Sequence, residues 1–376
     1  MPLLARFVTT PLVVDVRRGA LQELAAVLAD QRISTSGRVA IAVGPTYGPI
    51  VQKTFEHGLV QADWFTVDGG TINTAIKLVE QIRQQRYDAV VGIGGGTVLD
   101  VTKFAAARLG LPMVAVATNL AHDGIGSPIS TLDNDAGRGS YGVPAPIAVI
   151  VDLDLIAKAP PRSVRSGVGE IVSNLSAIAD WEAAHVAHGE ELDGLAVSLA
   201  RTAAQAVLNH PGGIADEAFV TTLAEGLVLS GISMVVAGTS RPSSGACHEI
   251  SHAIDLIHPT RRVFHGEQVG LGAAFAWYLR GDLAAFHTTV DCLRRHRLPV
   301  RPADLGFDLE EFGQVVAYAP QTRPGRITVL EESALTPAGI ADAVAGFDDH
   351  VRKRLESDEP EAVAHAPSDD GDPGRR

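Results

Sequence analysis

The chain has 376 residues, 46% of them hydrophobic and 20% charged, and carries a net charge of −13 at pH 7. That length and apolar content can bury a substantial core, in two domains or one large one. The acidic balance, with no cluster of Lys and Arg interleaved with aromatics, excludes a nucleic-acid or anionic-membrane footprint and leaves small molecules as the expected partners.

The N-terminal MPLLARFVTTPLVV has one arginine in a short apolar run broken by Pro11, and no small-residue cleavage site follows, so no secretory signal is expected. No segment reaches the roughly 18 consecutive apolar residues that predict a membrane span. The two cysteines, Cys247 and Cys292, cannot frame disulfides, and a cytoplasmic protein is expected. Next come short β-branched runs alternating with amphipathic stretches: strands over 39–44, 63–70, 88–93 and 112–118, with helices from Pro49, over 72–86 and over 97–110. Strand and helix in rotation predict parallel βαβ units, and wholly apolar strands such as AVVGI and MVAVA suit a sheet covered on both faces. A last strand over 146–156 closes this half. Beyond it, long Ala-, Leu- and Val-rich segments over 170–186, 192–208, 216–237, 265–280 and 282–295 predict a mostly helical half. The polar, Pro- and Asp-rich tail 357–376 is expected to be disordered. The expected division is a Rossmann-like α/β domain over 1–158, an all-α domain over 159–356 and the tail.

Two stretches of the first half point to a ligand. Gly94, Gly95 and Gly96 end a strand and open a helix, which lets backbone approach a phosphate at the free N–H groups of the helix start. The next strand runs out into ATNLAHDGIGSPIS, whose Thr118, Asn119, Asp123 and Ser127 offer donors and acceptors at the same carboxyl edge of the sheet. A tight turn without ligand, and Asp123 as a turn cap, are the bland alternatives.

In the helical half, HEISHAIDLIH (248–258) fits the HExxH pattern of zinc peptidases and carries a third histidine, His258, at the long-motif position. A peptidase lacks support, since Asp255 stands where a glycine is wanted and all three methionines lie upstream. The other pairing is His248 with His265, a loop after Pro259 returning the chain, completed by a carboxylate such as Glu170 to leave one position open.

GIGGGTVLDVTKFAA, ATNLAHDGIGSP, APPRSVRSGVGEIVSNLSAIADWEAA, SRPSSGACHEISHAID and HGEQVGLGA occur in this order over roughly 35–290. Together they resemble the glycerol-1-phosphate dehydrogenases, within the superfamily of iron-type alcohol dehydrogenases, glycerol dehydrogenases and dehydroquinate synthases. The resemblance implies the dehydroquinate synthase-like fold. It also implies that Gly94, Gly95, Gly96, Thr97 and Val98 hold an NAD or NADP pyrophosphate, with Thr118, Asn119, Leu120, Ala121 and Ser127 as further cofactor contacts. Glu170, His248 and His265 fall on metal-ligand positions for zinc, nickel or iron. Asp123 and His252 fall on substrate-facing positions, and Asp100 and Lys103 on a DxxK motif.

Three residues depart from the family pattern: Glu170 for the usual aspartate, Thr97 for a common lysine, and Cys247 for a glutamate. With an ion bound, the implied chemistry is polarisation of a ketone oxygen and hydride transfer from the reduced cofactor, with a small, phosphorylated ketone or alcohol as partner. Arg241, Arg162 and Arg165 are the cations expected near an anionic group, and a homo-oligomer is expected. A sugar-phosphate cyclase of the dehydroquinate synthase type, favoured by Glu170, and a binding protein without turnover are the competing readings.

Overall fold

A computed structural model describes residues 10–46, 48–55, 61–135, 137–261 and 263–357; the first nine residues, and the expected disordered tail beyond Ser357, lie outside them. The apolar runs of the N-terminal half form one parallel sheet: β1 (Val13–Arg17), β2 (Val39–Val43), β3 (Ala62–Thr66), β4 (Ala89–Gly94), β5 (Met113–Ala117) and β8 (Ala148–Asp152), in the order β1-β8-β5-β4-β2-β3. A separate antiparallel hairpin, β6 (Ile129–Asn134) and β7 (Gly137–Gly142), precedes β8. Helices α1 (Leu24–Leu28), α2 (Gly48–Thr54), α3 (Ile72–Ile82), α4 (Gly96–Leu109) and α5 (Leu153–Ile156) complete this half.

The central strands are apolar throughout because both faces are covered. Alternate residues separate cleanly: Ala40, Ala42, Val90, Ala115, Ala117, Val149 and Val151 face one core with Leu78, Leu99 and Phe104 of α3 and α4. Val39, Ile41, Val91, Ile93, Val114, Val116 and Ile150 face a second core with Leu24, Leu28 and Val51 of α1 and α2. The first face is lined with small residues, and at Gly92 a Cβ would meet Met113 and Thr102 at 2.9 and 3.0 Å, so α4 sits close to the sheet.

From Pro161 the chain is helical: α6 (Pro161–His188), α7 (Gly194–Asn209), α8 (Glu217–Ala237), α9 (Ala246–Ile257), α10 (His265–Arg280), α11 (Leu283–Arg295), α12 (Leu309–Tyr318), α13 (Val329–Ser333) and α14 (Pro337–Ser357). By length and composition α8 could cross a membrane, but most of its apolar window is buried, with Phe219, Leu223 and Leu227 in the main core. Ser357 ends α14.

Two expectations need correction, and one unassigned run finds its place. The strand expected over 146–156 stops at Asp152, whose carboxylate accepts the Asp154 amide and so starts α5. The apolar run after Pro11, to which no element was assigned, forms the edge strand β1, which pairs with β8 from Val13. The loop expected over 117–130 ends early, because Ile129 and Ser130 already belong to β6, which pairs antiparallel with β7.

Candidate metal and dinucleotide site

The sheet reverses its winding between β2 and β4, and ligands of open parallel sheets sit outside the carboxyl ends of strands at such a point. There β4 ends in the glycine turn, and α4 begins with Gly95 as its N-cap in extended backbone. Crowding favours all three glycines, most strictly Gly94, whose neighbour is a side-chain root rather than a tip. A Cβ at Gly94 would lie 2.5 Å from Val98 Cβ, at Gly95 2.4 Å from Asn119 Nδ2, and at Gly96 2.0 Å from His122 Nε2. The loop after β5 therefore folds directly over the turn, pinned by the Thr118 amide donating to the Gly94 carbonyl at 3.0 Å.

Within the expected cofactor set the roles divide. Thr97 is exposed and Gly95 and Gly96 half-buried at the helix start, open to a ligand. Val98 and Leu120 are core residues, so Leu120 can offer only backbone to a ligand. Asn119 and Ala121 stay beside the turn, their side chain and amide joined at 3.3 Å. Ser127 instead lines the neighbouring cavity.

That cavity, about 330 Å³, lies between the sheet's carboxyl edge, the hairpin and helices α6, α8 and α9, with Asp123, Ser127, Glu170, His248, His252 and His265 on its wall. Glycines bring two of these side chains together. Where α6 meets α10, a Cβ on Gly169 would lie 2.0 Å from the Gly266 carbonyl oxygen, and one on Gly266 1.8 Å from the Ser166 carbonyl oxygen. Glu170 follows one glycine and His265 precedes the other, so this contact sets carboxylate beside imidazole. Glu170 is nine residues into α6, in its third turn rather than at the helix start. His248 enters from the first turn of α9.

Glu170 Oε2 lies 3.5 Å from His265 Nε2, and Oε1 lies 4.0 Å from His248 Nε2. The three donor atoms fall within 4.8 Å of one another. Burial pushes the Glu170 carboxyl well above its usual range, aided by the Asp123 charge, and holds both imidazoles well below theirs. Glu170 Oε2 is buried with no hydrogen-bond partner among the described residues. A buried carboxylate with one oxygen unpartnered, facing two neutral imidazole nitrogens, is an arrangement that a divalent cation would satisfy, and the donor set suits zinc, nickel or iron.

Second contacts orient these groups. His265 Nδ1 meets Ser251 Oγ at 3.0 Å; Ser251 donates to Gln268 Oε1 at 2.5 Å, and Gln268 Nε2 donates to Asp255 Oδ1 at 3.0 Å. Asp123, pushed up to about 6 by burial, accepts from Ser230 Oγ at 3.0 Å. His252 is brought down to about 3 by burial and by the charges of Arg323, Arg138 and Arg326, and its Nδ1 accepts from Arg323 Nε at 3.4 Å. It is therefore a neutral imidazole with Nε2–H free to donate.

Other residues of the opening motif take bland places. Glu249 is buried with Oε2 accepting from Thr328 at 3.0 Å, and His258 caps α9 against the Phe307 ring. Cys247 packs with Ala177, Val269 and Ala273, its thiol pushed up to about 12 by burial. The expected cations also need correction, because none of the three is on the cavity wall. Arg241 pairs with Glu190; Arg162 pairs with Glu267 at 2.6 Å and stacks on Phe264; Arg165 acts on His296. The cavity cations are Arg138 and Arg323. His122, another wall residue without an expected role, accepts the Gly124 amide at Nδ1 at 2.9 Å, which leaves Nε2–H beside the glycine turn.

The sequence pattern of iron-containing alcohol dehydrogenases matches residues 15–160. A glycerol-1-phosphate dehydrogenase [NAD(P)+] of Hyperthermus butylicus is 36% identical over 332 residues, covering 87% of this chain and 94% of the relative. The chain belongs to the glycerol-1-phosphate dehydrogenase family. Another family member, from Staphylothermus marinus, is 34% identical over 88% of this chain and 94% of its own length. The fold of this family member is similar to that of glycerol dehydrogenase from Schizosaccharomyces pombe, with a TM-score of 0.76, 21% identity and coverage of 94% and 93% of the two chains.

Proposed function

We propose that the protein is an NAD(P)-linked, metal-dependent dehydrogenase that reduces dihydroxyacetone phosphate to sn-glycerol 1-phosphate, or a closely similar phosphorylated ketone. The observation that carries this reading is the convergence of Glu170, His248 and His265 on a cavity beside the glycine turn, in a chain of this family. Glu170, His248 and His265 would hold the ion, with zinc the best fit and nickel or iron next. The turn 94–98 and the backbone of 118–121 would hold the dinucleotide. When bound, the ion supplies polarisation of a carbonyl oxygen and the dinucleotide supplies hydride.

The chain's own groups position the substrate. His252, neutral at physiological pH, donates Nε2–H to a substrate oxygen rather than acting as a charged acid. Asp123, held by Ser230, accepts a substrate hydroxyl. The cyclase reading rested on Glu170, and the named relatives, all dehydrogenases, give it no support.

The test combines elemental analysis with oxidation of NADH and NADPH over phosphorylated and unphosphorylated ketones. His248→Ala and His265→Ala are each expected to lose both bound metal and turnover; turnover retained by either variant refutes the assignment. The same screen chooses between the two dinucleotides, and sedimentation velocity checks the expected homo-oligomer.

A further inference from the structure

The cavity is electrically divided. Asp100, Asp123 and Glu170 line the part nearest the glycine turn and the histidines, and Asp100 already pairs with Lys103 at 3.0 Å. The other wall carries Arg138 from β7, Arg323 from the segment after the 3₁₀ turn Ala319–Thr322, and the serines of the loop 240–245. Among the described residues, Asp255 alone answers these charges on that wall, 3.3 Å from Arg138 and also bonded to Gln268.

Arg323 is the unusual member. It is half-buried, and among the described residues it makes no ion pair within 4 Å; its one hydrogen bond goes to the neutral ring of His252. Burial lowers its affinity for its proton, with only the charge of Glu249 opposing. A guanidinium that loses water without gaining a carboxylate is costly, and an anionic ligand removes that cost. Arg326, three residues on, is not free in the same way, because it donates to the Ser244 carbonyl and to Ser240 Oγ at 3.1 Å and so braces the serine loop. Ser244 is 4% exposed, lines the cavity, and its hydroxyl has no hydrogen-bond partner among the described residues.

We infer that Arg323, with Arg138 and the Ser244 hydroxyl, forms a pocket for the phosphate of the substrate and sets the preference for phosphorylated over unphosphorylated ketones. The inference rests on the dehydrogenase reading for its substrate, but the pocket is defined by its own residues. His252 lies between this pocket and the metal ligands, 6.3 Å from His248 ring to ring, so a phosphate held by Arg323 leaves a short carbon chain to reach toward Glu170 and His248. The planar fork of arginine suits two oxygens of one phosphate, which a lysine cannot match.

The experiment measures kcat/KM for dihydroxyacetone phosphate and for dihydroxyacetone in wild type, Arg323→Gln, Arg323→Lys and Arg138→Gln, with metal content checked for each. Arg323→Gln is expected to cut the ratio of the two kcat/KM values about 100-fold, Arg138→Gln about 10-fold, and Arg323→Lys to restore part of the loss. An equal loss on both substrates would mean that Arg323 acts only by holding His252, and would overturn the pocket. Loss appearing as weaker NADH binding would assign Arg323 to the cofactor and overturn it too.

A second readout needs no turnover: inorganic phosphate should raise the melting temperature of wild type, and Arg323→Gln should lose that rise. If wild type reduces neither ketone yet shows the Arg323-dependent phosphate shift, the dehydrogenase reading fails and the anion pocket stands. If turnover prefers the phosphate ester but neither the ratio nor the shift depends on Arg323, the pocket fails and the dehydrogenase stands.

Discussion

The Ser251 hydroxyl decides which nitrogen of His265 is free. Gln268 Nε2 donates to Asp255, so Gln268 Oε1 must accept the Ser251 proton, and Ser251 Oγ is left to accept from His265 Nδ1–H at 3.0 Å. The lone pair then stays on Nε2, the atom 3.5 Å from Glu170. A ligand imidazole held in one tautomer by such a chain binds better than a free one. Ser251→Ala should therefore weaken affinity for the ion about 10- to 100-fold, read by competition with a chelator while circular dichroism checks the fold. Wild-type affinity in the variant would show that Ser251 does not set the tautomer.

Gly169 tests whether packing builds the site. Its added Cβ would meet a backbone carbonyl at 2.0 Å, an atom that cannot swing aside, so α6 and α10 must separate. Overpacking of this kind costs about 1–3 kcal/mol or more. Gly169→Ala should lower the urea midpoint accordingly and also reduce bound metal, because Glu170 and His265 move apart with their helices. A variant with a wild-type midpoint and full metal would mean that the crossing has slack.

How much of this was legible in the sequence differs by feature. The alternation of apolar strands and amphipathic helices was readable because a sheet covered on both faces imposes unbroken apolar runs. The HExxH string alone points to His252 as the partner of His248, whereas the structure sets the donor atoms of His265 and Glu170 beside it; His265 needed the loop after Pro259, and Glu170 needed the resemblance to a family, because a single carboxylate on a long helix has no spacing signal. The cations could not be found by nearness to motifs. Arg162 and Arg241 sit beside motif residues in sequence yet turn to Glu267 and Glu190, whereas Arg323, 71 residues from His252, returns to it through the segment between α12 and α13. The β6–β7 hairpin was illegible because β7, GRGSYG, is glycine-rich and largely exposed, and β6, ISTLDN, buries a serine beside a leucine and so shows no apolar alternation.

Lys103 anchors the loop over the site from below. It is 1% exposed, pairs with Asp100 at 3.0 Å, and donates to the Gly124 carbonyl at 2.9 Å and to the Ile129 carbonyl. Removing one partner of a buried charge pair leaves the other uncompensated, at a cost of about 3–5 kcal/mol. Lys103→Met should show a loss of this size in chemical denaturation, together with weaker NADH binding measured by fluorescence, since the loop carrying His122 would lose its tether. A loss below about 1 kcal/mol would mean that water replaces the ammonium readily.

His296 gives a pH dependence away from the site. It is 4% exposed and stacks on Phe219 with ring centroids 4.7 Å apart, and Nε2 accepts from Arg295 Nε at 3.4 Å. Burial first, and then the Arg295 charge, bring its pKa from 6.5 down to about 4. Between those values the unfolded chain holds a proton that the folded chain lacks, so folding stability falls as pH drops from about 6.5 toward about 4 and levels below it. The slope from this one group is at most about 1.4 kcal/mol per pH unit. His296→Phe keeps a ring in the stack and removes the titration, so its stability relative to wild type should rise steadily as pH is lowered through this window. Parallel stability curves for the two proteins between pH 7 and pH 4 would show that His296 already titrates normally in the folded state.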